Sequence, residues 1–454
     1  MKKIILIFLI VTLFGCAKKL DLKPESTLVI PTTVKDFQNL LDNADELINV
    51  TPALAQLSSD EYYIPDFSTW QSLSSEIQRT TYVWAKDIFA GQVRSRSWLV
   101  PYSQVFYANS VLDAIGKQGN ELSTEMKNIK GWALFVRAHA FFTLVCNYSP
   151  AYHVSTATTD LGIPLKLSAN ITEIVQRSNL QQTYDQIITD LLEATELLKT
   201  EITADKKNRP SKVAAYALLA RIFLNMRDYE KADLYSSNAL NLYSTLTDYN
   251  TLEILDYGTF TKNAEETIYF THCSGEYAET IFTQGDYYGV DSSLIRLYDP
   301  SDLRLPIYFS KTELGNYNVK GINTDFAYPF TGLATDEIYL IKAECLARKG
   351  LTSQALSYLN SLVRNRMKAG TFTPISAADS QDALDKILLE RRKELIWRGL
   401  RWLDLKRLNK EGSNITLHRN LGDQKFTLEP NSPRYVFPIP DDEIGLSGIQ
   451  QNIR

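Results

Sequence analysis

The sequence has few of the residues that metal sites and disulfide scaffolds use. It contains four histidines and four cysteines in 454 residues. No two histidines lie within five residues of each other, which excludes the H-E-x-x-H pair of a helical zinc site. The three cysteines beyond residue 16 are far apart in sequence, and at least one of them must stay unpaired. Cys146 and Cys345 lie in helical patterns, so we expect them to be small core residues.

Motifs for nucleophilic or phosphate chemistry are also missing. The chain has neither a G-x-S-x-G nucleophile elbow nor a G-x-x-x-x-G-K phosphate loop. Paired carboxylates for glycoside hydrolysis can come from anywhere in a chain, so the sequence leaves that reaction open. No residue pattern points to catalysis, a cofactor or a metal ion, so we predict that the chain is not an enzyme and has neither a cofactor nor a metal site. His139, inside a long helical pattern, is expected to be a packed residue.

An excess of basic residues is lacking as well. The 48 Lys and Arg residues are outnumbered by 53 Asp and Glu residues, which gives a formal net charge of −5. Binding to a phosphate backbone needs clustered Lys and Arg. Nucleic acid is therefore not an expected partner.

Long apolar runs are scarce, and the clearest one lies at the N-terminus. Lys2 and Lys3 precede an apolar run over residues 4–14, which is shorter than the about 20 residues of a membrane-spanning helix. The run ends at Gly15-Cys16, which is typical of a bacterial lipobox. An ordinary signal peptide with a nearby cysteine is the alternative interpretation.

We interpret residues 1–15 as a lipoprotein signal peptide and residues 16–31 as a polar tether that is lipidated at Cys16. No later apolar stretch is expected to approach membrane-spanning length. The mature chain should therefore be anchored to a membrane and not threaded through it.

Helical periodicity dominates residues 32–454 and predicts a mainly α fold. Two regions, near residues 209–243 and 335–369, repeat each other. In the first, Ala232 follows Ala220 by twelve residues, and in the second Ala355 follows Ala343 by the same interval. Small residues at these positions let antiparallel helices approach closely, as in tetratricopeptide helix pairs. Two unrelated hairpins are the alternative.

Such pairs need neighbours, because each one has an apolar face that it cannot bury alone. We therefore expect further helices of the scaffold at 98–148 and 180–199. Trp84, Trp98 and Trp132 are assigned to the core. An irregular, loop-rich insert over residues 250–332 should separate the two repeated regions.

The candidate ligand site lies among aromatic residues in loops. In residues 257–330, 15 of 74 positions are Phe or Tyr. Aromatic rings offer a large contact area at low entropic cost, and neighbouring acids and amides can bind ligand hydroxyls. Two segments, residues 59–71 and 276–291, combine both features. We predict that they face the same side and share one concave site.

From these segments we select five ligand-binding candidates, namely Tyr62, Tyr63, Trp70, Tyr287 and Tyr288. For each single ring, packing beneath a loop is the alternative.

The segment 381–408 reads as one helix and contains the arginine-rich stretch ERRKELIWRGLRWLDLKR at 390–407. An anion site is one interpretation of these arginines. We favour ion pairs that hold the scaffold, with Glu394 paired to Arg398 one helical turn away and Asp404 accepting from Arg401 or Arg407. The apolar residues between them are expected in the core, namely Leu395, Trp397, Trp402 and Leu405.

Several of these stretches resemble the SusD/RagB-like lipoproteins of Bacteroidetes outer membranes. The similarity extends over nearly the whole chain. It includes the long helix GWALFVRAHAFFTLVCNY, the G-I-P-L sequence at 162–165, the helix pairs at 209–232 and 336–366, the stretch at 390–407, and F-P-I-P at 437–440. Arg398 stands where many members have Glu, which concerns the subfamily and not membership.

The resemblance implies a largely tetratricopeptide-type scaffold with variable loops, exposed at the outer-membrane surface. It implies a partner, a SusC-like TonB-dependent transporter, and a glycan ligand that is bound and delivered but not cleaved. An oligopeptide ligand of the RagB type is the first alternative. A structural lid on the transporter, without a soluble ligand of its own, is the second.

Replacing the lipidated cysteine tests the predicted anchor. A diacylglycerol thioether and an N-acyl group would give three acyl chains, which suffice for stable anchoring where one chain does not. Cys16→Ala should therefore abolish palmitate labelling and release the protein from membranes. Full labelling of the variant with radioactive palmitate would contradict the assignment.

Overall fold

The computed structural model describes residues 31–92, 94–119, 121–282, 287–313, 315–321 and 328–454. The predicted signal peptide, Cys16 and all of the tether except Pro31 lie outside these residues.

Helices make up about half of the described chain. In chain order they are α1 (Val34–Leu41), α2 (Leu54–Ser58), α3 (Phe67–Ser72), α4 (Glu76–Tyr82), α5 (Arg96–Gly116), α6 (Thr124–Tyr148), α7 (Leu180–Leu197), α8 (Lys212–Met226), α9 (Tyr229–Leu242), α10 (Ala278–Ile281), α11 (Ser292–Ile295), α12 (Arg304–Tyr308), α13 (Thr335–Arg348), α14 (Thr352–Arg364), α15 (Ser380–Glu394), α16 (Arg401–Lys410) and α17 (Asp441–Ser447). A π-helical turn lies at Ala44–Ile48, and short 3-10 helices lie at Tyr249–Thr251 and Pro433–Tyr435.

The strands are short and form two-stranded sheets. They are β1 (Val50–Thr51), β2 (Tyr62–Tyr63), β3 (Leu161–Pro164), β4 (Arg177–Asn179), β5 (Thr267–Tyr269), β6 (His272–Cys273), β7 (Gly289–Val290), β8 (Phe309–Lys311), β9 (Tyr317–Val319), β10 (Leu333–Ala334), β11 (Leu417–Leu421) and β12 (Gln424–Leu428). The pairs are β1 with β6, β2 with β7, β3 with β4, β5 with β10, β8 with β9, and β11 with β12.

Local side-chain caps define the ends of the long helices. The Ser123 hydroxyl accepts from the backbone N–H of Met126 and begins α6. Asn179 and Gln182 form a capping box at the start of α7. Between α8 and α9, Arg227 takes a left-handed conformation with φ 63°, and the Asp228 side chain then caps α9. This turn closes the first predicted helix pair.

The helices α5 to α9 and α13 to α15 pack as a continuous antiparallel array. Each helix from α5 to α9 contacts the next, and α9 contacts α13 across the insert. The four repeated alanines, Ala220, Ala232, Ala343 and Ala355, are all fully buried. The prediction of a mainly α, tetratricopeptide-like scaffold is confirmed.

Helix α6 forms the centre of the main core. It is long and apolar enough to cross a membrane, so the expectation that no later segment approaches that length is wrong. However, 89% of its most apolar 18-residue stretch is buried inside the protein. We therefore assign it to the core of the domain. The three predicted core tryptophans, Trp84, Trp98 and Trp132, are buried as well.

The arginine-rich C-terminal segment is two helices and not the single helix that its periodicity predicted. Trp397 and Gly399 take left-handed conformations with φ 63° and 68°, which break the helix between α15 and α16. Glu394 and Arg398 are therefore not one helical turn apart, and the predicted pair between them is wrong. Arg398 instead donates to both carboxylate oxygens of Asp336 on α13.

Buried ion pairs join this break to the rest of the scaffold. Glu394 accepts from Arg366 Nε at 2.8 Å and from Arg304 Nη1 at 2.9 Å, and all three side chains are fully buried. Burial alone would raise the pKa of the Glu394 carboxyl, but these two guanidiniums, together with that of Arg398, lower it to about 2. Arg407 pairs in the same way with Glu344 on α13.

These pairs confirm the scaffold interpretation of the arginine-rich segment. Asp404 accepts from Arg407, as predicted, and from Arg391 in place of Arg401. The four apolar residues of the segment, Leu395, Trp397, Trp402 and Leu405, are buried, as predicted.

Removing Glu394 tests how strongly the fold depends on these pairs. Glu394→Ala leaves the guanidiniums of Arg366 and Arg304 buried without this partner, which should cost about 3–5 kcal/mol of unfolding free energy. Lys130→Ala, which removes the exposed ion pair with Glu193, should change it by no more than about 0.5 kcal/mol. Urea unfolding of both variants measures the difference, and equal losses would contradict the assignment.

Candidate ligand-binding site

The two aromatic segments predicted to share a site meet in the structure. Strand β2 pairs antiparallel with β7, with Tyr62 opposite Val290 and Tyr63 opposite Gly289. A Cβ atom at Gly289 would lie 2.7 Å from the Tyr63 ring, so a larger residue there would displace that ring. Of the loop 285–289 that carries Tyr287 and Tyr288, residues 285 and 286 lie outside the described part of the chain.

Tyr62 and Tyr288 are buried, which corrects the prediction that their rings are open to a ligand. Their exposed fractions are 1% and 2%. The Tyr62 hydroxyl donates to the backbone oxygen of Leu57, and the Tyr288 hydroxyl donates to that of Phe282, both at 2.8 Å. Neither ring can stack on an external ligand in this conformation.

Residues distant in sequence bury these two rings. The left-handed conformation of Trp397 places its indole under the loops, where it stacks on Tyr288 at 5.1 Å and meets Tyr62 edge-on at 5.7 Å. The Arg419 guanidinium lies 5.1 Å from the Tyr62 ring and donates to the backbone oxygen of Tyr62. This cluster supports the loops from beneath.

The other three candidates, Tyr63, Trp70 and Tyr287, are partly exposed. The Trp70 indole lies 5.3 Å from the Phe67 ring on α3, a helix with no buried residue. Its Nε1 donates to the backbone oxygen of Arg79, and the Tyr63 hydroxyl donates to Asn316 Oδ1. The rings are thus held in place while part of their surface faces solvent.

A polar cleft of about 450 Å³ lies near these loops, and sequence reasoning did not find it. Its lining combines acids, a guanidinium and two aromatic rings, namely Asp45, Glu46, Val50, Arg96, His272, Gly275, Glu276 and Tyr328. The residues come from the turn after α1, the start of α5, strand β6 and the segments around residues 275 and 328. None of the five predicted aromatics lines this cleft.

The wall of the cleft is built around His272. Its ring stacks on Tyr328 at 5.1 Å, and its two nitrogens face the backbone oxygens of Cys273 and Asp45 at 2.9 and 3.2 Å. Burial raises the pKa of Glu276, while the nearby Arg96 guanidinium opposes that shift. The cleft therefore offers acceptors and donors side by side, next to an aromatic face.

One contact links the cleft to the aromatic surface. Glu279, three residues after Glu276, accepts from the backbone N–H and the hydroxyl of Ser74, in the turn between α3 and α4. The surface that carries Phe67 and Trp70 is thus fixed to the segment that lines the cleft. Asp45, Glu46 and Arg96 have no local sequence pattern that would have identified them, because only the fold brings them together.

The residues just before β2 bind the region of the break between α15 and α16. Asp60 binds Arg401 through both carboxylate oxygens, at 2.7 and 2.8 Å. Glu61 accepts from the backbone N–H of Trp397 and from Gln56, and burial raises its pKa to about 7. The position of β2 therefore depends on residues more than 300 positions away in the sequence.

Among the described residues, one group of carboxylates lies close enough to share a metal ion, namely Glu266, Asp336 and Glu394. Arg366 donates to Glu266 and Glu394, and Arg398 donates to Asp336, so guanidiniums already occupy their oxygens. We assign the group to the scaffold. His139 is buried and stacks on Phe135, and burial lowers its pKa to about 3, in accord with a packed residue.

Comparison with known families agrees with this architecture. Residues 18–224 match a family model described as starch-binding and associating with the outer membrane, and residues 333–453 match the model of the SusD family. Two SusD-like proteins of Formosa agariphila are each 24% identical to the chain. The alignments cover 77% and 90% of this chain and 78% and 92% of theirs.

Solved structures share the fold. A SusD superfamily protein from Bacteroides vulgatus has a TM-score of 0.73 at 23% identity, over 93% of this chain and 99% of that chain. A SusD superfamily protein from Bacteroides thetaiotaomicron has a TM-score of 0.73 at 21% identity, over 93% and 100%. A SusD-like carbohydrate-binding protein from Bacteroides vulgatus has a TM-score of 0.66 at 22% identity, over 92% and 97%.

Starch binding and association with the outer membrane are named in the description of the first matched family. The two family models together take in well over half of the sequence, and the shared fold covers more than nine-tenths of it. The chain belongs to the SusD/RagB family.

Proposed function

We propose that this protein captures a glycan at the outer-membrane surface and delivers it to a SusC-like TonB-dependent transporter, without cleaving it. The observation that carries the proposal is the polar cleft together with a partly exposed aromatic surface, which the contact between Ser74 and Glu279 joins to the segment that lines the cleft. A lipid on Cys16 would keep this assembly at the membrane.

The side chains of the cleft suit a ligand that is rich in hydroxyl groups. Glu276 can accept from hydroxyl groups and Arg96 can donate to them, so neighbouring hydroxyls of a sugar can be bound together. Phe67 and Trp70 offer partly exposed faces on which the apolar C–H side of a sugar ring can stack. Binding energy would come from these contacts alone, with no covalent step.

The geometry of the loops suits ligand binding better than catalysis. Tyr63, Trp70 and Tyr287 are held by short elements whose bases are fixed by the partly buried Asp60–Arg401 ion pair and by the Trp397 cluster. Tyr62 and Tyr288 would support these rings and would not touch the ligand. Such a preorganised surface loses little conformational entropy when a ligand binds.

Paired substitutions at the aromatic surface test the ligand site. A glycan array with the soluble domain first identifies a binding glycan, and calorimetry then gives its Kd. Trp70→Ala should weaken binding about tenfold, which corresponds to ~1.4 kcal/mol, with an almost unchanged melting temperature. Tyr288→Ala is the matched control for a buried ring and should cost about 3 kcal/mol of stability or more.

A second pair of variants in the same titration separates the cleft from the rest of the surface. Arg96→Ala should weaken glycan binding, whereas Arg296→Ala, which removes an exposed arginine on another element, should not. If Trp70→Ala and Arg96→Ala both bind the glycan with unchanged Kd, the proposed site is wrong. If the domain binds peptides and no glycan, the RagB-type alternative replaces the glycan.

Purification of the native protein tests the proposed partner. We expect a TonB-dependent barrel to co-purify with the protein after gentle detergent extraction from its own organism. A capture protein that hands over its ligand must remain close to the transporter, and the tether allows movement without loss of contact. Repeated recovery of the protein alone would contradict delivery to a barrel, while leaving glycan binding to be judged by calorimetry.

A further inference from the structure

Helix α5 has an outer face with an unusual composition. Residues 97–112 contain no charged side chain, although charged residues make up 22% of the whole chain. Leu99 and Phe106 are 42% and 40% exposed, and they lie on one face of the helix with Ser103 and Ser110. An exposed helix face of this length would normally carry charges.

The two serines on this face do not offer free hydroxyl groups. Ser103 Oγ donates to the backbone oxygen of Leu99 at 2.9 Å, and Ser110 Oγ donates to that of Phe106 at 2.8 Å. Their hydrogen bonds are made within the helix, so the face behaves as a stripe of small and apolar groups.

A groove of about 300 Å³ runs beside this stripe. Its second wall is the segment 164–171, which is fixed to α5 because Asn109 Nδ2 donates to the backbone oxygens of Lys166 and Ser168. Tyr102 donates to the backbone oxygen of Pro164. Glu443 closes one end and accepts from Trp98 Nε1 at 3.2 Å. The groove is therefore a fixed feature of the fold.

Further exposed apolar side chains lie at the groove wall and next to it. Ile171 and Ile174 are 81% and 63% exposed, and Leu446 on α17 is 79% exposed. Gln176 donates to the backbone oxygen of Ser447, so these two parts of the chain are adjacent. A group of exposed apolar side chains in one part of a folded protein marks an interaction with another molecule.

Two observations indicate which molecule covers it. Thr32, the first residue after the predicted tether, lies close to the far end of α5, where its backbone oxygen accepts from Gln118 Nε2. The tether predicted to lead to the lipid therefore starts from the same helix as the stripe. In addition, Arg96 in the first turn of α5 lines the ligand cleft, and Leu99 follows it by about one helical turn, or about 5 Å.

We infer that the groove along α5, lined by Leu99, Phe106 and Ile171, is the surface that docks onto the extracellular loops of the transporter barrel. The inference rests on the proposed function and adds the docking face to it. An apolar side chain of a barrel loop would fill the groove, with Lys166 and Glu443 at its rim for groups of opposite charge. Docking here would place the ligand cleft directly beside the barrel.

Two matched leucine variants test the inference in the full-length lipidated protein. Leu99→Glu introduces a charge into the stripe, and Leu389→Glu introduces the same charge at a leucine of almost equal exposure, 43%, on α15 at the other end of the array. The amount of barrel that co-purifies should fall about tenfold for Leu99→Glu and stay unchanged for Leu389→Glu. Melting temperatures of both variants verify that each is folded.

Photo-crosslinking identifies the molecule that occupies the groove. A photoreactive phenylalanine at position 106 should form an adduct with the TonB-dependent barrel, and the same group at position 389 should not. An adduct with a second copy of this chain or with lipid would overturn the inference. So would a barrel that co-purifies but crosslinks only at position 389, and in that case delivery to the barrel would stand. Absence of any barrel, with glycan binding intact, would refute the proposed partnership itself.

Discussion

The buried pairing of arginine with carboxylates around the break between α15 and α16 is the constraint on which the other parts of this structure depend. Arg366 alone connects Glu394 at the end of α15 with Glu266 before β5 and with the backbone oxygen of Thr247. Arg398 connects the break itself to Asp336 on α13. Moving such charges out of water costs several kcal/mol per ion. The main contribution of these pairs is therefore that they fix the relative positions of the elements that they join. The helix array, the insert and the C-terminal segment can meet in this arrangement only when every pair is formed.

The position of the loops that carry the candidate site depends on contacts with that break. Trp397, which lies within it, supports Tyr62 and Tyr288 from below, and its backbone N–H binds Glu61. Arg401, at the start of the next helix, holds Asp60. A scaffold that fixes the bases of the loops while leaving their outer residues exposed permits ligand contacts to vary without loss of the fold. This separation of roles explains why the buried Tyr62 and the partly exposed Tyr63, neighbours on β2, have different functions in our proposal.

Helix α5 connects the two surfaces that matter for the proposed delivery. Its first residue, Arg96, reaches the polar cleft, and its next turns form the uncharged stripe. Since a helix is stiff over this length, a partner docked on the stripe would be held at a defined distance from the ligand. The pairing of Trp98 with Glu443 and of Asn109 with the segment 164–168 keeps the groove open in the free protein. Capture and handover would thus use adjacent turns of one rigid element.

The sequence by itself determined most of the long helices, the pairing of the repeated ones and the class of the fold. Caps, periodicity and the matched alanines act between residues at most a few turns apart, and Ala220 with Ala232 could therefore be interpreted without knowing the rest of the chain. It also located the two aromatic segments, because their composition is a local property. Tertiary structure alone decided which rings are exposed: Tyr62 and Tyr288 are covered by Trp397 and Arg419, residues from the end of the chain. Tertiary structure also interrupts the predicted helix at Trp397. It alone brings Asp45, Arg96, His272 and Glu276 together in one cleft. Burial and charge pairing are interactions between distant residues, and no local pattern in the sequence encodes which distant residues will meet.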